Sequence, residues 1–195
     1  KVTIEINGQK QTTKAAENGK WNTTLNPLKA GGPYTLAIRA KSKSLLYKNV
    51  LVGEVWICSG QSNMAFMLKQ AVTAKEDIAG AKNSNIRLFD MKPRWETNAV
   101  EWDASVLDSL SRLQYYKETV WKECTPENAA SFSAIGYHFG KMLADSLGVP
   151  VGLINNAVGG SPCESWIDRR TLQYELPDML EDYTNNDMIQ DWVRG

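Results

Sequence analysis

Two short segments of this chain carry residue types and spacing suited to nucleophilic chemistry: Gly60-Gln61-Ser62-Asn63 and Gly159-Gly160-Ser161. In each, a glycine-containing turn lets backbone N–H groups approach a bound molecule closely. Ser62 stands just before a helical stretch, so its hydroxyl would face a helix start, where a developing oxyanion is favoured. The same placement also suits a plain N-cap serine. A nucleophilic serine needs a proton acceptor, usually histidine. The one histidine, His138, falls in mid-helix, between Ile135 and Met142. It reads as a packing or helix-surface residue, so the base for Ser62 is expected outside this sequence.

Other motifs fail on inspection. Gly60 to Met64 is G-x-S-x-M and lacks the second glycine of a hydrolase nucleophile elbow. Gly136 to Met142 has its glycines one residue too close for a phosphate loop, and Met142 stands where Ser or Thr must bind magnesium. There is no G-x-G-x-x-G, no HExxH and no His/Cys cluster, so no metal site and no cofactor are expected. Cys58, Cys124 and Cys163 form no CxxC pair. Buried free thiols and a single bridge such as Cys58–Cys124 both remain open. Asn22-Thr23-Thr24 fits a glycosylation sequon.

These segments need a scaffold, and the composition bounds it. The chain has 195 residues, 43% hydrophobic and 23% charged, as in ordinary globular proteins rather than collagen-like, low-complexity or disordered chains. Its 22 basic and 22 acidic residues cancel. No basic field exists to gather nucleic acid or anionic lipid. No run approaches the roughly 20 apolar residues that span a bilayer.

The first fifty residues read as short antiparallel strands. Val2, Ile4 and Ile6 alternate with polar residues before an Asn7-Gly8 turn. Asn18-Gly19 marks a second turn. Tyr34, Leu36 and Ile38 alternate after a Gly31-Gly32-Pro33 break, and Leu46 to Val50 forms a further strand. From Val50 to Cys58 a nearly continuous apolar run predicts a strand buried on both faces. Ser59 to Asn63 then reads as a turn, Met64 to Ala81 as a helix, and Ile86 to Phe89 as a strand. Residues 92–128 read as a long, partly ordered loop. Ser133 to Leu147 is the clearest helix, with Ile135, Phe139, Met142, Leu143 and Leu147 as its apolar stripe. Ser131 or Ser133 caps it and Gly148 ends it. Val149 to Ala157 is a third buried strand. This alternation predicts an α/β domain with a parallel sheet, whose ligands bind at the carboxyl ends of the strands.

Four segments, in order, resemble a known family. Gly53 to Met64 (GEVWICSGQSNM) is similar to the first block of sialate O-acetylesterase-type SGNH hydrolases. Phe132 to Gly140, leading into Gly148 to Asn155, is similar to its next conserved stretch. Gly159 to Trp166 (GGSPCESW) resembles its second block, and Leu28 to Tyr34 resembles the β segment before the esterase domain. The resemblance implies a flavodoxin-like SGNH α/β/α sandwich preceded by part of a β-sandwich domain. Residues 1–50 would be the end of the β-sandwich, and residues 51–195 the first half of the hydrolase domain.

It also implies a serine esterase that removes acetyl groups from sugars. Ser62 is then the nucleophile. The Ser62 and Gly159 N–H groups form the oxyanion hole, with Gly160 the second candidate at that turn. Gln61 and Asn63 support the turn, and Glu164 and Trp166 position the second block. No metal or organic cofactor is implied. The family's later Gln-Gly-Glu block and its final Asp/His block are absent. The chain also opens mid-strand at Lys1-Val2-Thr3-Ile4, so it reads as an internal fragment, nearly inactive alone. A half-domain would expose a sheet edge, to be covered by another copy or by a missing C-terminal segment. The implied substrate is an acetylated glycan or sialic acid, and the implied location is periplasmic or secreted. Two rivals stand beside this reading. One is a carbohydrate-binding module using Trp95, Trp102 and Trp121, and the other an acetylxylan esterase.

Overall fold

A computed structural model describes residues 1–94, 104–112 and 114–179. Its first sheet is antiparallel, with strands β1 (Val2–Ile6), β2 (Gln9–Thr13), β3 (Gly31–Ala40) and β4 (Ser44–Val52) in the order β2-β1-β3-β4. The alternation of Val2, Ile4 and Ile6 puts all three on the buried face. Asn7 and Gly8 both take positive φ, the twist a two-residue hairpin needs, and Ile6 faces Gln9 across it. Gly31-Gly32-Pro33 does not break the chain as expected; it begins β3, with register shifts before Leu36.

The second sheet holds β5 (Glu54–Gly60), β6 (Asn83–Asp90), β7 (Lys122–Cys124) and β8 (Val151–Ala157), in the order β5-β8-β6-β7. β5 and β6 both run parallel to β8, and β7 is antiparallel to β6. The apolar run expected as one strand over Val50–Cys58 is split at Gly53 between the two sheets. Nor is it buried on both faces. Among the described residues β5 pairs only with β8, and Val55 and Ile57 are 61% and 68% exposed. The sheets are joined at Gly53–Glu54, where Glu54 N–H donates to Pro150 O at 2.9 Å. A polar clasp adds to this junction: Asn49 Nδ2 donates to Glu123 Oε1 at 2.7 Å, and Arg87 donates to Asn49 Oδ1 at 3.0 Å.

The helix expected over Met64–Ala81 is three pieces: α1 (Ser62–Ala65), a 3-10 turn at Leu68–Gln70, and α2 (Ala74–Gly80). Each break lets the chain hydrogen-bond elsewhere. Leu68 N–H donates to Phe132 O, and Phe66 O accepts from Ala134 N–H, tying the segment to the start of α5 (Ala134–Leu147). The long loop contains α3 (Ala104–Ser111), β7 and α4 (Pro126–Ala130). Trp95 and Trp102 lie outside the described residues. Ser133 caps α5 by accepting from Gly136 N–H, and Gly148 closes it in the left-handed conformation.

The expected apolar stripe of α5 is not its buried face. Ile135, Met142 and Leu147 are at least half exposed, whereas Ala134, Gly136, Tyr137, Gly140 and Ala144 are buried. The cause is close packing on the sheet. A Cβ at Gly140 would lie 2.4 Å from Leu153 Cδ1, and one at Gly136 would lie 3.2 Å from Cys58 Sγ. Small residues let α5 settle onto β5 and β8 over a core of Leu68, Ile86, Leu88, Phe132, Val151 and Leu153. After β8 come a 3-10 turn at Cys163–Trp166 and α6 (Arg169–Glu175). No described helix is long and apolar enough to cross a membrane.

Candidate active site

β5 and β8 end side by side, with Gly60 in register with Ala157. Parallel neighbours lie about 4.8 Å apart, so the turns that leave them share one rim. Val158 N–H donates to Gly60 O at 3.0 Å and holds the rim together. Gly60 has φ +150°, and a Cβ there would meet Met64 Cβ at 3.2 Å. Glycine is thus required for the chain to turn from β5 into α1. Gly160 has φ +80°, which suits glycine in the tight turn after β8.

Ser62 is exposed at the start of α1. Its Oγ donates to Gln61 Oε1 at 2.7 Å, and its N–H donates to the same oxygen at 3.0 Å. Gln61 Nε2 reaches Ser161 O at 3.4 Å and so bridges the two turns. Gly159 and Gly160 are exposed beside them. The structure therefore gathers Gln61, Ser62, Gly159 and Gly160 at one sheet end. Asn63 is exposed, and its carbonyl accepts Phe66 N–H at 3.4 Å. With four residues, α1 is too short for much of the macrodipole that the sequence suggested.

Ser161 plays a different part from Ser62. It is buried; its Oγ donates to Val158 O at 2.8 Å and accepts from Trp166 Nε1 at 2.9 Å. The Gly-Gly turn is thus anchored from beneath, with the Trp166 indole as one support. Deeper in the rim, Asn155 Nδ2 donates to Asp90 Oδ1 at 2.8 Å, and Asp90 pairs with Lys92 at 3.1 Å. Asn156 Oδ1 accepts from Tyr116 O–H at 2.6 Å, and burial pushes the Tyr116 phenol up. Sequence reading missed Asp90, Tyr116, Asn155 and Asn156, although the carboxyl ends of β6 and β8 were the place to look.

His138 is not part of this group. Its Nε2 lies 3.4 Å from Asp77 Oδ2 of α2, its ring packs edge-on against Tyr137, and its side chain is 48% exposed. Among the described residues no hydrogen bond or ion pair links it to Ser62. All three cysteines are free: Cys58 and Cys124 are buried and Cys163 is exposed. Burial pushes the Cys58 and Cys124 thiols up. Trp121 packs against Phe89, with ring centroids 5.2 Å apart, and would crowd a Cβ at Gly152. No group of three His, Cys, Asp or Glu side chains among the described residues could hold a metal ion.

A serine turn and a Gly-Gly turn on adjacent parallel strands match a known pattern. The model of the sialic acid-specific acetylesterase family of carbohydrate esterases matches residues 52–188. The chain belongs to this family. Rat sialate O-acetylesterase is 31% identical over 170 residues, 85% of this chain and 30% of the rat protein. Human sialate O-acetylesterase is 31% identical over 175 residues, again 85% of this chain and 31% of the human protein. A solved carbohydrate acetylesterase from Xanthomonas citri superposes with a TM-score of 0.75 at 34% identity, over 90% of this chain and 38% of that one. The chain thus spans about a third of the length of each relative it matches.

Proposed function

We propose that the protein is a carbohydrate O-acetylesterase acting on O-acetylated sialic acids, with Ser62 as nucleophile. The observation that carries this reading is an exposed serine hydroxyl on the turn after β5, beside the exposed Gly159-Gly160 turn after β8, in a chain of this family.

Ser62 Oγ attacks the acetyl carbonyl carbon as its proton passes to a base. The carbonyl oxygen becomes an oxyanion and accepts from the Ser62 and Gly159 N–H groups. Loss of one such donor typically costs about 3 kcal/mol in the barrier. Collapse breaks the ester C–O bond, and the sugar hydroxyl leaves with the proton returned by the base. Water, activated by the same base, then cleaves the acetyl-serine to acetate. We assign the base and its carboxylate partner to the part of the protein corresponding to the length of the relatives that this chain does not match. His138, held against Asp77, is not that base.

The test is acetate release from O-acetylated sialic acid by the intact protein, beside Ser62→Ala. Ser62→Ala is expected to lose at least about a thousandfold in kcat, as serine hydrolases do without their nucleophile. Activity retained within about tenfold would refute the assignment. Acetylated xylan, run in parallel, tests the substrate: hydrolysis of xylan but not of the sialate would keep the chemistry and overturn the sugar.

A further inference from the structure

Ser62 rests in a state that cannot react, and Gln61 is the reason. Its side-chain oxygen takes both the Ser62 hydroxyl proton, at 2.7 Å, and the Ser62 N–H, at 3.0 Å. The orientation of the amide is fixed by its surroundings. A backbone N–H can only donate, so the atom facing Ser62 N must be Oε1. A backbone carbonyl can only accept, so the atom facing Ser161 O at 3.4 Å must be Nε2. Both ends agree. A hydroxyl whose proton is given to an amide oxygen cannot give it to a base at the same moment. An N–H engaged by that oxygen is likewise not free for an oxyanion.

We propose that the Gln61 carboxamide is a displaceable latch: Oε1 stands in for the substrate's carbonyl oxygen and must swing away when the ester binds. This rests on Ser62 being the nucleophile. Gln61 is then a positioning residue that competes with substrate. Gln61 and Ser62 are both exposed, so release into water is easy. Each such hydrogen bond is worth about two- to twelvefold in population, and ordering the Gln side chain opposes it. The closed form is thus favoured by a few-fold to about tenfold. A protein whose binding-competent state is a minor fraction shows an apparent affinity reduced by that fraction.

The experiment uses the intact protein, with Gln61→Ala and the shorter Gln61→Asn as a second variant should the first not fold. Aryl acetate hydrolysis is measured together with hydrogen exchange at the Ser62 amide. The latch predicts that KM falls by a few-fold to about tenfold, that kcat is unchanged, and that Ser62 amide exchange quickens by a similar factor. A merely structural role for Gln61 would not lower KM. A lowered kcat at constant KM, an unchanged or raised KM, or unchanged Ser62 exchange each overturn the latch. Activity retained by Ser62→Ala overturns instead the nucleophile assignment, and the amide exchange still decides whether the latch contact exists.

Discussion

Gly140→Ala puts the packing beneath the site to a direct test. Alanine in a helix interior is favoured over glycine by about 0.8–1 kcal/mol. Against this, the new Cβ would lie 2.4 Å from Leu153 Cδ1, 2.8 Å from Cδ2 and 2.9 Å from Cγ. Carbon atoms in contact prefer about 3.5–4.0 Å, so the overlap is more than an ångström. Leu153 is fully buried on β8 and has nowhere to yield. Overpacking of this kind costs about 1–3 kcal/mol, and an overlap with three atoms belongs at the upper end. The net expectation is a destabilisation of about 1–2 kcal/mol, or roughly 2–8 °C in Tm for a chain of this size. Gly80→Ala is the control, since a Cβ there meets nothing within 4 Å. It should be neutral or stabilise by up to about 1 kcal/mol. Urea unfolding of both variants measures the difference. In a double-mutant cycle with Leu153→Val, which lacks the clashing δ carbons, the combined loss should fall short of the sum by about 1 kcal/mol. If Gly140→Ala stabilises as Gly80→Ala does, α5 is not seated on β8 at this point and the account of its buried face fails.

Two further outcomes follow from the same structure. Trp166→Phe removes the indole N–H that donates to Ser161 Oγ; it should cost about 1–2 kcal/mol in thermal unfolding and lower kcat for acetate release, and a variant equal to wild type in both would show that the Gly159-Gly160 turn does not depend on this anchor. In the folded protein iodoacetamide should modify Cys163 alone, with Cys58 and Cys124 reacting only after unfolding, as read by peptide mass. Because burial raises both buried thiols, the unfolded chain loses these protons first; stability is undiminished below the ordinary thiol pKa and declines as pH rises past it. Equal alkylation of all three, or no alkaline decline beyond that of a Cys58→Ala/Cys124→Ala variant, would count against this packing.

The sequence disclosed patterns of local origin and concealed those set by packing. Val2, Ile4 and Ile6 alternate because one face of their sheet is buried, and Asn7-Gly8 turns because both residues tolerate positive φ. The Ser133 cap and the Gly148 stop of α5 were equally plain. The buried face of α5 was not, because hydrophobic periodicity finds large apolar residues, whereas a helix pressed onto a sheet hides its small ones. The break-up of Met64–Ala81 was concealed for a related reason. Its residues could all form helix, and only long-range bonds to Phe132 O and Ala134 N–H decide otherwise. At the site, Ser62 and the Gly-Gly turn were legible from type and spacing. The Gln61 bridge and the Asp90–Asn155 pair were not, since both depend on which strand lies beside which.

That strand order is what makes the two motifs one site. Ser62 and Gly159 are far apart in sequence, and β6 forms between them, yet β8 pairs with β5 on one side and β6 on the other. The parallel register sets Gly60 beside Ala157, so both chains reach the rim together and turn there. Side chains alternate faces along a strand, and a slip of one residue would send each to the opposite face. It would also part Val158 N–H from Gly60 O and carry Ser161 O away from Gln61. The buried partners of β8, Val151, Leu153, Asn155 and Ala157, all lie on the α5 face and forbid such a slip. The core beneath α5 therefore does more than stabilise the sheet. By fixing the β5–β8 register it fixes the distance between the serine turn and the glycine turn, and on that distance the proposed oxyanion hole depends.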